Sequence, residues 1–215
     1  MFSKLFGSKK NEPQVTKPSI LGLTVGTSFD VDTLGFKLVM DKLTITDMAK
    51  TQIIKAAGKA EMDGNTVYRF YTDDEAWLQV VCEGGDTEDD IIDVKLFHYY
   101  DTKSVDSDYN WDALLNREIG AETQELEGNT FSRVWNSTGD YAMPVHIREV
   151  TYDETEQPDT TDQFAMLFER EVDNDHVEVL FLSAEEVENE QGHLEHCLVI
   201  STGLNLSPAQ ITIHG

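Results

Sequence analysis

Residues 65–100, NTVYRFYTDDEAWLQVVCEGGDTEDDIIDVKLFHYY, decide the fold. Three runs rich in β-branched and aromatic residues (67–71, 76–82 and 91–100) are separated by two acidic, turn-forming breaks at 72–75 and 83–90. This is the pattern of a three-stranded antiparallel meander. In the third run a period of two places Ile92, Val94, Leu96 and His98 on one face and Asp93 and Lys95 on the other, which predicts one core face and one wet face. The middle run is apolar on both faces, with Leu78, Val80 and Cys82 on one side and Trp77 and Val81 on the other. A strand covered on both sides belongs at the centre of a sheet, so residues 76–82 are predicted to be the spine.

Upstream, residues 20–62 read as short strands and turns, and the cluster Asp63, Gly64, Asn65 is a turn leading into the meander. Downstream, DTKSVDSDYN at 101–110 reads as a polar connection and a boundary between two halves. NWDALLN follows as a short helix capped by Asn110 that buries Trp111, Leu114 and Leu115. Residues 121–135 read as a hairpin turning at Gly128 and Asn129, and strands are expected at 145–152, 163–172 and 177–182. Ser183 and Glu186 have capping-box spacing, which predicts a short helix over AEEVENE stopped by Gly192. LEHCLVIST and AQITIHG close the chain as two more strands. The expected fold is mainly β (β-rich α+β): antiparallel meanders in two similar halves, 20–105 and 106–215, packed as one globular unit with a few short helices. The halves echo each other in YRFYTDDEAWLQVV and FEREVDNDHVEVLF, with Arg69 and Arg170 at matching places.

Sixteen Lys and Arg stand against 41 Asp and Glu, a formal net charge of −25. A field of that sign repels phosphates, so no nucleic-acid partner is expected. The acids are scattered through turns and polar faces and read as a solubilising shell, ahead of a DNA-mimic or cation-binding surface. The first ten residues, MFSKLFGSKK, break from this composition, with three Lys and no acid. Met1, Phe2, Leu5 and Phe6 recur at helical spacing beside Lys4, Lys9 and Lys10, which is either a weak membrane-surface or partner-docking tag or a frayed terminus. Residues 7–19 read as a tether that spans about 20 Å, enough to hold an acidic body clear of an anionic membrane. No signal-peptide or transmembrane stretch is read, so the expected location is cytoplasmic, with peripheral contact on the inner face of the membrane.

Sites of chemistry are scarce. There is no nucleophile elbow, phosphate-cradling Gly loop, dinucleotide fingerprint or CxxC pair, and no cofactor, metal or catalytic residue is nominated. Cys82 and Cys197 sit in apolar runs as free thiols. His193, His196 and Cys197 form the best metal-like cluster, but on a strand they alternate faces. DTEDD at 86–90 and DND at 173–175 lack the spacing of an EF-hand and read as acidic turns. Arg69 and Arg133 stand in apolar surroundings, where an internal ion pair or a guanidinium stacked on an aromatic is the plainer explanation, and an anionic ligand the sharper one. His98 reads as a core or rim histidine.

The strings GNTVYRFYTDDEAWLQV, FSRVW, FERE with the following EVLFLSAEE, and LNLSPAQITI resemble the YjfK-like family of uncharacterised bacterial proteins, from about Leu21 onward. The resemblance implies a cytoplasmic accessory protein, often encoded near phage-shock-type membrane-stress proteins and small membrane proteins, and a functional role for the MFSKLF stretch. It implies no catalytic residues. The expectation is a non-enzymatic interaction protein with a protein partner and a peripheral membrane contact through residues 1–10. The rival is a small-ligand-binding protein or enzyme with a pocket between the halves, using Arg69, Arg133 or His98.

Overall fold

A computed structural model describes residues 16–135, 138–155, 157–188 and 194–214. The predicted tag residues Phe2, Lys4, Leu5, Phe6, Lys9 and Lys10 lie outside the described residues. Twelve strands are described: β1 (Ser28–Val31), β2 (Thr51–Met62), β3 (Asn65–Thr72), β4 (Ala76–Glu83), β5 (Ile91–Ser104), β6 (Thr123–Leu126), β7 (Asn129–Arg133), β8 (Val145–Tyr152), β9 (Pro158–Glu171), β10 (Val177–Glu188), β11 (Leu194–Asn205) and β12 (Ile211–His214). The α-helices α1 (Leu34–Lys37) and α2 (Asp108–Ala113) are short. The fold is mainly β and antiparallel, as expected.

Strands β2 to β5 form one meander and β8 to β11 another. β5 pairs with β11 and β2 with β8, so the two meanders close into an eight-stranded antiparallel barrel. Closure removes the exposed edges that an open meander would present. β2 serves two partners, pairing with β1 through residues 51–53 and with β8 through residues 57–60. Its register against β3 shifts between Ile54 and Ala56, and a bulge there lets the strand bend from one partner to the other. The β2–β3 and β6–β7 hairpins turn through Asp63-Gly64 and Glu127-Gly128, all four with positive φ, the backbone that suits two-residue turns between twisted strands.

Alternation along each barrel strand sorts the core into an inside and an outside. Ala60, Val67, Trp77, Val81, Phe97, Ile147, Leu167, Val179 and Phe181 fill the lumen, with Trp77 stacked on Phe97 at 4.2 Å between ring centroids. Outside, Tyr68, Phe70, Leu78, Val80, Val94 and Leu96 pack under the β1–β12 pair and the segments around it. On the other flank, Met166, Phe168, Leu180, Leu182 and Ile200 pack against Leu114, Ile119 and Phe131. The spine prediction holds, since every residue from Ala76 to Cys82 in β4 is buried.

Four local expectations are corrected. Ser183 and Glu186 do not start a helix: β10 runs through to Glu188, paired with both β9 and β11, and two ladders outweigh one local cap. Residues 101–104 are not a connection but the end of β5, paired with β11. Helix α2 begins earlier than read, with the Ser107 side chain accepting from the Asn110 backbone N–H at 3.2 Å, so Ser107 and not Asn110 is the cap. In β5 the wet face is absent from Val94 to Phe97, because Lys95 and Phe97 face the lumen, while Ile92 is 55 % exposed beside a register shift in β4–β5.

Candidate functional site

The lumen is closed by a polar network around Arg69. Its Nε donates to Gln79 Oε1 at 3.2 Å, and one terminal nitrogen donates to Glu149 Oε2 and Gln163 Oε1, both at 2.7 Å. Tyr71 Oη donates to the other oxygen of Glu149 at 2.7 Å. The guanidinium carbon lies 4.9 Å from the Trp77 ring centroid and 5.3 Å from that of Phe181. Gly58 pairs with Arg69 across β2–β3, and a Cβ there would stand 1.7 Å from Glu149 Oε1, so the missing side chain makes room for the carboxylate. Burial is the strongest influence and works against the Arg69 charge, but Glu149 and Tyr71 together outweigh it and hold the guanidinium's pKa above its ordinary value. Burial and Glu149 push the Tyr71 hydroxyl well above the usual phenol range. Arg69 is therefore an internal ion pair and an aromatic-stacked cation, with its donors turned away from any ligand.

Arg133 is likewise structural. Its terminal nitrogens donate to the carbonyls of Gly120 and Gly139, the latter at 2.6 Å, tying β7 to the segments on either side. His98 sits elsewhere, in a cleft of about 940 Å³ on the outer wall with walls from both halves, among them Asp47, Asp74, Arg170 and Thr202. Its Nε2 is buried without a hydrogen-bond partner among the described residues. Burial lowers the imidazole's pKa, against the pull of Asp74 and Asp47, so the ring is neutral at pH 7. Arg170, its sequence echo of Arg69 notwithstanding, faces outward and grips Glu178 at 2.6 Å, while Glu178 accepts from the Thr44 backbone N–H and hydroxyl.

A second cleft, of about 780 Å³, lies on the outer wall over the seam where β2 meets β8. The described chain enters it at once, through Thr16, Lys17, Pro18 and Ser19. Lys17 Nζ donates to the Asp153 carbonyl at 2.6 Å. Lys59 lies directly across from Tyr68 on one side and from Val150 on the other, and Arg148 and Tyr152 flank Val150 on the same outward face of β8. Lys59 Nζ rests 5.3 Å from the Tyr68 ring centroid. Among the described residues Arg148 makes no hydrogen bond or ion pair, although the neighbouring His146 is paired with Asp162 at 2.8 Å.

The other expected clusters are taken up locally. Asp90 closes a capping box with Thr87, and Asp173 accepts from the backbone N–H groups of Asp175 and His176, which lowers both carboxyls below their usual range. His196 stacks on Trp111 at 4.2 Å and reaches Glu186 at 3.2 Å, and His193 lies outside the described residues. Among the described residues no group of three or more His, Cys, Asp and Glu stands ready to hold a metal. Cys82 and Cys197 are free, and burial raises both thiols above the ordinary value. Among the described residues no helix is long and apolar enough to cross a membrane.

Glu149, Gln79 and Gln163 were not singled out from sequence, because Glu149 lies 80 residues from Arg69 and only barrel closure brings them together. Lys59 and Arg148 were missed for the same reason. Residues 1–212 match the model of a family described as a protein of unknown function, DUF2491. The chain is 29 % identical over 217 aligned residues to the uncharacterised protein YjfK of Escherichia coli K12, covering all of this chain and 98 % of that relative. No solved structure matches it.

Proposed function

The chain belongs to the DUF2491 family of proteins of unknown function, and from that premise we propose that it is a non-enzymatic accessory protein that associates peripherally with an anionic surface on the inner face of the membrane, through residues 1–10. The observation that carries this reading is the segregation of charge. All 41 acidic residues lie after residue 10, whereas residues 1–10 hold three Lys and four large apolar side chains. The described chain begins at the cleft that holds Lys17, Lys59 and Arg148, three cations on an otherwise acidic body. Each Lys near an anionic surface contributes about 1 kcal/mol, and the apolar side chains add about a few more, which gives reversible binding.

The test is co-sedimentation of the full chain and the chain lacking residues 1–10 with phosphatidylglycerol and phosphatidylcholine vesicles, at low and physiological salt. Binding is expected only to the anionic vesicles, weakened by salt and lost with the deletion. Equal sedimentation of the two forms overturns the reading. A second reading, a small-ligand binder or enzyme, is favoured by the unpartnered Nε2 of His98 in a cleft walled by both halves. It requires a metabolite that raises the melting temperature of the wild type and not of His98→Asn.

A further inference from the structure

The seam cleft holds hydrogen-bond donors that the fold leaves without acceptors. Tyr68 is 3 % exposed and lines the cleft, yet its hydroxyl has no hydrogen-bond partner among the described residues. It is also absent from the buried polar atoms that lack one, which are His98 Nε2, Arg133 Nε and Ser183 Oγ, so the Tyr68 oxygen is open to the cleft. A nearly buried tyrosine normally finds a partner for its hydroxyl. Beside it, the Lys59 ammonium rests against the Tyr68 ring, and among the described residues neither it nor the Arg148 guanidinium has a carboxylate partner. Two carboxylates do line the cleft, but Glu61 accepts from Thr66 Oγ1 at 3.2 Å, and Asp86 belongs to the β4–β5 loop.

We propose that the cleft at the β2–β8 seam is a binding site for a phosphate group, held by Arg148, Lys59 and the Tyr68 hydroxyl. The three come from three adjacent strands. β3 carries Tyr68, β2 carries Lys59 directly across from it, and β8 carries Arg148 one outward position from the residue opposite Lys59. The guanidinium offers a planar fork to two phosphate oxygens, the ammonium a point charge, and the phenol a neutral donor with a fixed direction. A neutral donor beside two cations fits a tetrahedral oxyanion better than a simple halide, which has no directional acceptors to match. None of the three side chains belongs to residues 1–10, so the phosphate response is read separately from the tag. The phosphate is either that of a phospholipid headgroup or that of a soluble phosphate ester, and the two sources are separable.

The full chain is titrated calorimetrically with inorganic phosphate and with glycerol phosphate, at ionic strength held constant with chloride. Saturable binding is expected. Arg148→Gln and Lys59→Gln each weaken it about tenfold, as loss of a charge-assisted bond does. Tyr68→Phe, which keeps the ring and removes only the hydroxyl, weakens it a few-fold. Lys103→Gln serves as the control, since its side chain is 60 % exposed and beside Asp101. Because Arg148 is exposed and unpaired, its variant is expected to melt with the wild type. Vesicle co-sedimentation of the same variants then assigns the source. A further loss of phosphatidylglycerol binding in Arg148→Gln marks a lipid headgroup, whereas unchanged vesicle binding beside a lost phosphate response marks a soluble ester. Absence of saturable phosphate binding, or binding that persists equally in both charge variants, overturns the proposal.

Discussion

Arg148 and Glu149 are neighbours on β8, and Tyr68 and Arg69 are neighbours on β3, yet each pair is split between two environments by the alternation of the strand. Glu149 and Arg69 turn inward, 3 % exposed or less, and both oxygens of Glu149 are matched within the lumen. Arg148 and Tyr68 turn outward into the seam cleft, where their polar atoms are unmatched among the described residues. The two sides of one wall therefore divide the work. The Arg69 network holds the inside of this wall together, and Arg148 and Tyr68 on its outside are left for something else. In an acidic chain, the informative cation is the one without a carboxylate.

The contrast breaks most sharply at Arg69. Arg69→Met leaves Glu149 charged and unpaired in the lumen, and urea unfolding is expected to show a loss of about 3–5 kcal/mol. Adding Glu149→Leu to that variant should recover much of the loss, since the uncompensated charge, not the missing bridge, is the main cost. A loss in Arg69→Met below about 1 kcal/mol would mean that water reaches the lumen, and the division between inside and outside would fail.

Glu185 sharpens the same contrast with a smaller effect of opposite sign. It lies on the lumen-facing row of β10 with Phe181 and Ser183, and burial raises its carboxyl pKa, with Arg69 opposing and Glu149 adding to the rise. Because the folded pKa lies above the unfolded one, the carboxyl favours folding fully below the unfolded value, and that contribution is lost as pH rises through the folded value. Glu185→Gln should therefore be more stable than the wild type at pH 7, with an advantage that shrinks as the pH approaches 4. Unfolding curves for the two proteins that keep a constant separation across this range would contradict the assignment.

Much of the fold was legible because it is written in short-range patterns. The run Ala76–Cys82, apolar on both faces, announced a strand covered on both sides, and Asp63-Gly64 announced the turn before it. What covers that strand was not legible. Its inner face stacks on Phe97 of the adjacent strand and meets Phe181 across the lumen, and its outer face meets segments around β1, through contacts that span most of the chain. Ser183 and Glu186 mislead for the same reason: a capping box is a local signal, and pairing to β9 and β11 overrides it. The plainer reading of Arg69, an ion pair stacked on aromatics, came from its apolar neighbours in sequence, but its partner Glu149 stands in a run, HIREVTY, that gives no sign of carrying a buried carboxylate. The seam cleft was invisible because no stretch of sequence contains it. Tyr68, Lys59 and Arg148 meet only once β2 has bulged away from β1 and found β8.

The central claim is that the cations inside the barrel are committed and those of the seam are available. The side-chain Nε–H signals of the five arginines report on this directly in the full chain, recorded with and without inorganic phosphate at constant ionic strength. The account predicts that the Arg148 signal shifts saturably and that the Arg69 and Arg133 signals stay in place. An Arg148 signal that does not move, or a shift shared equally by all five, would contradict it.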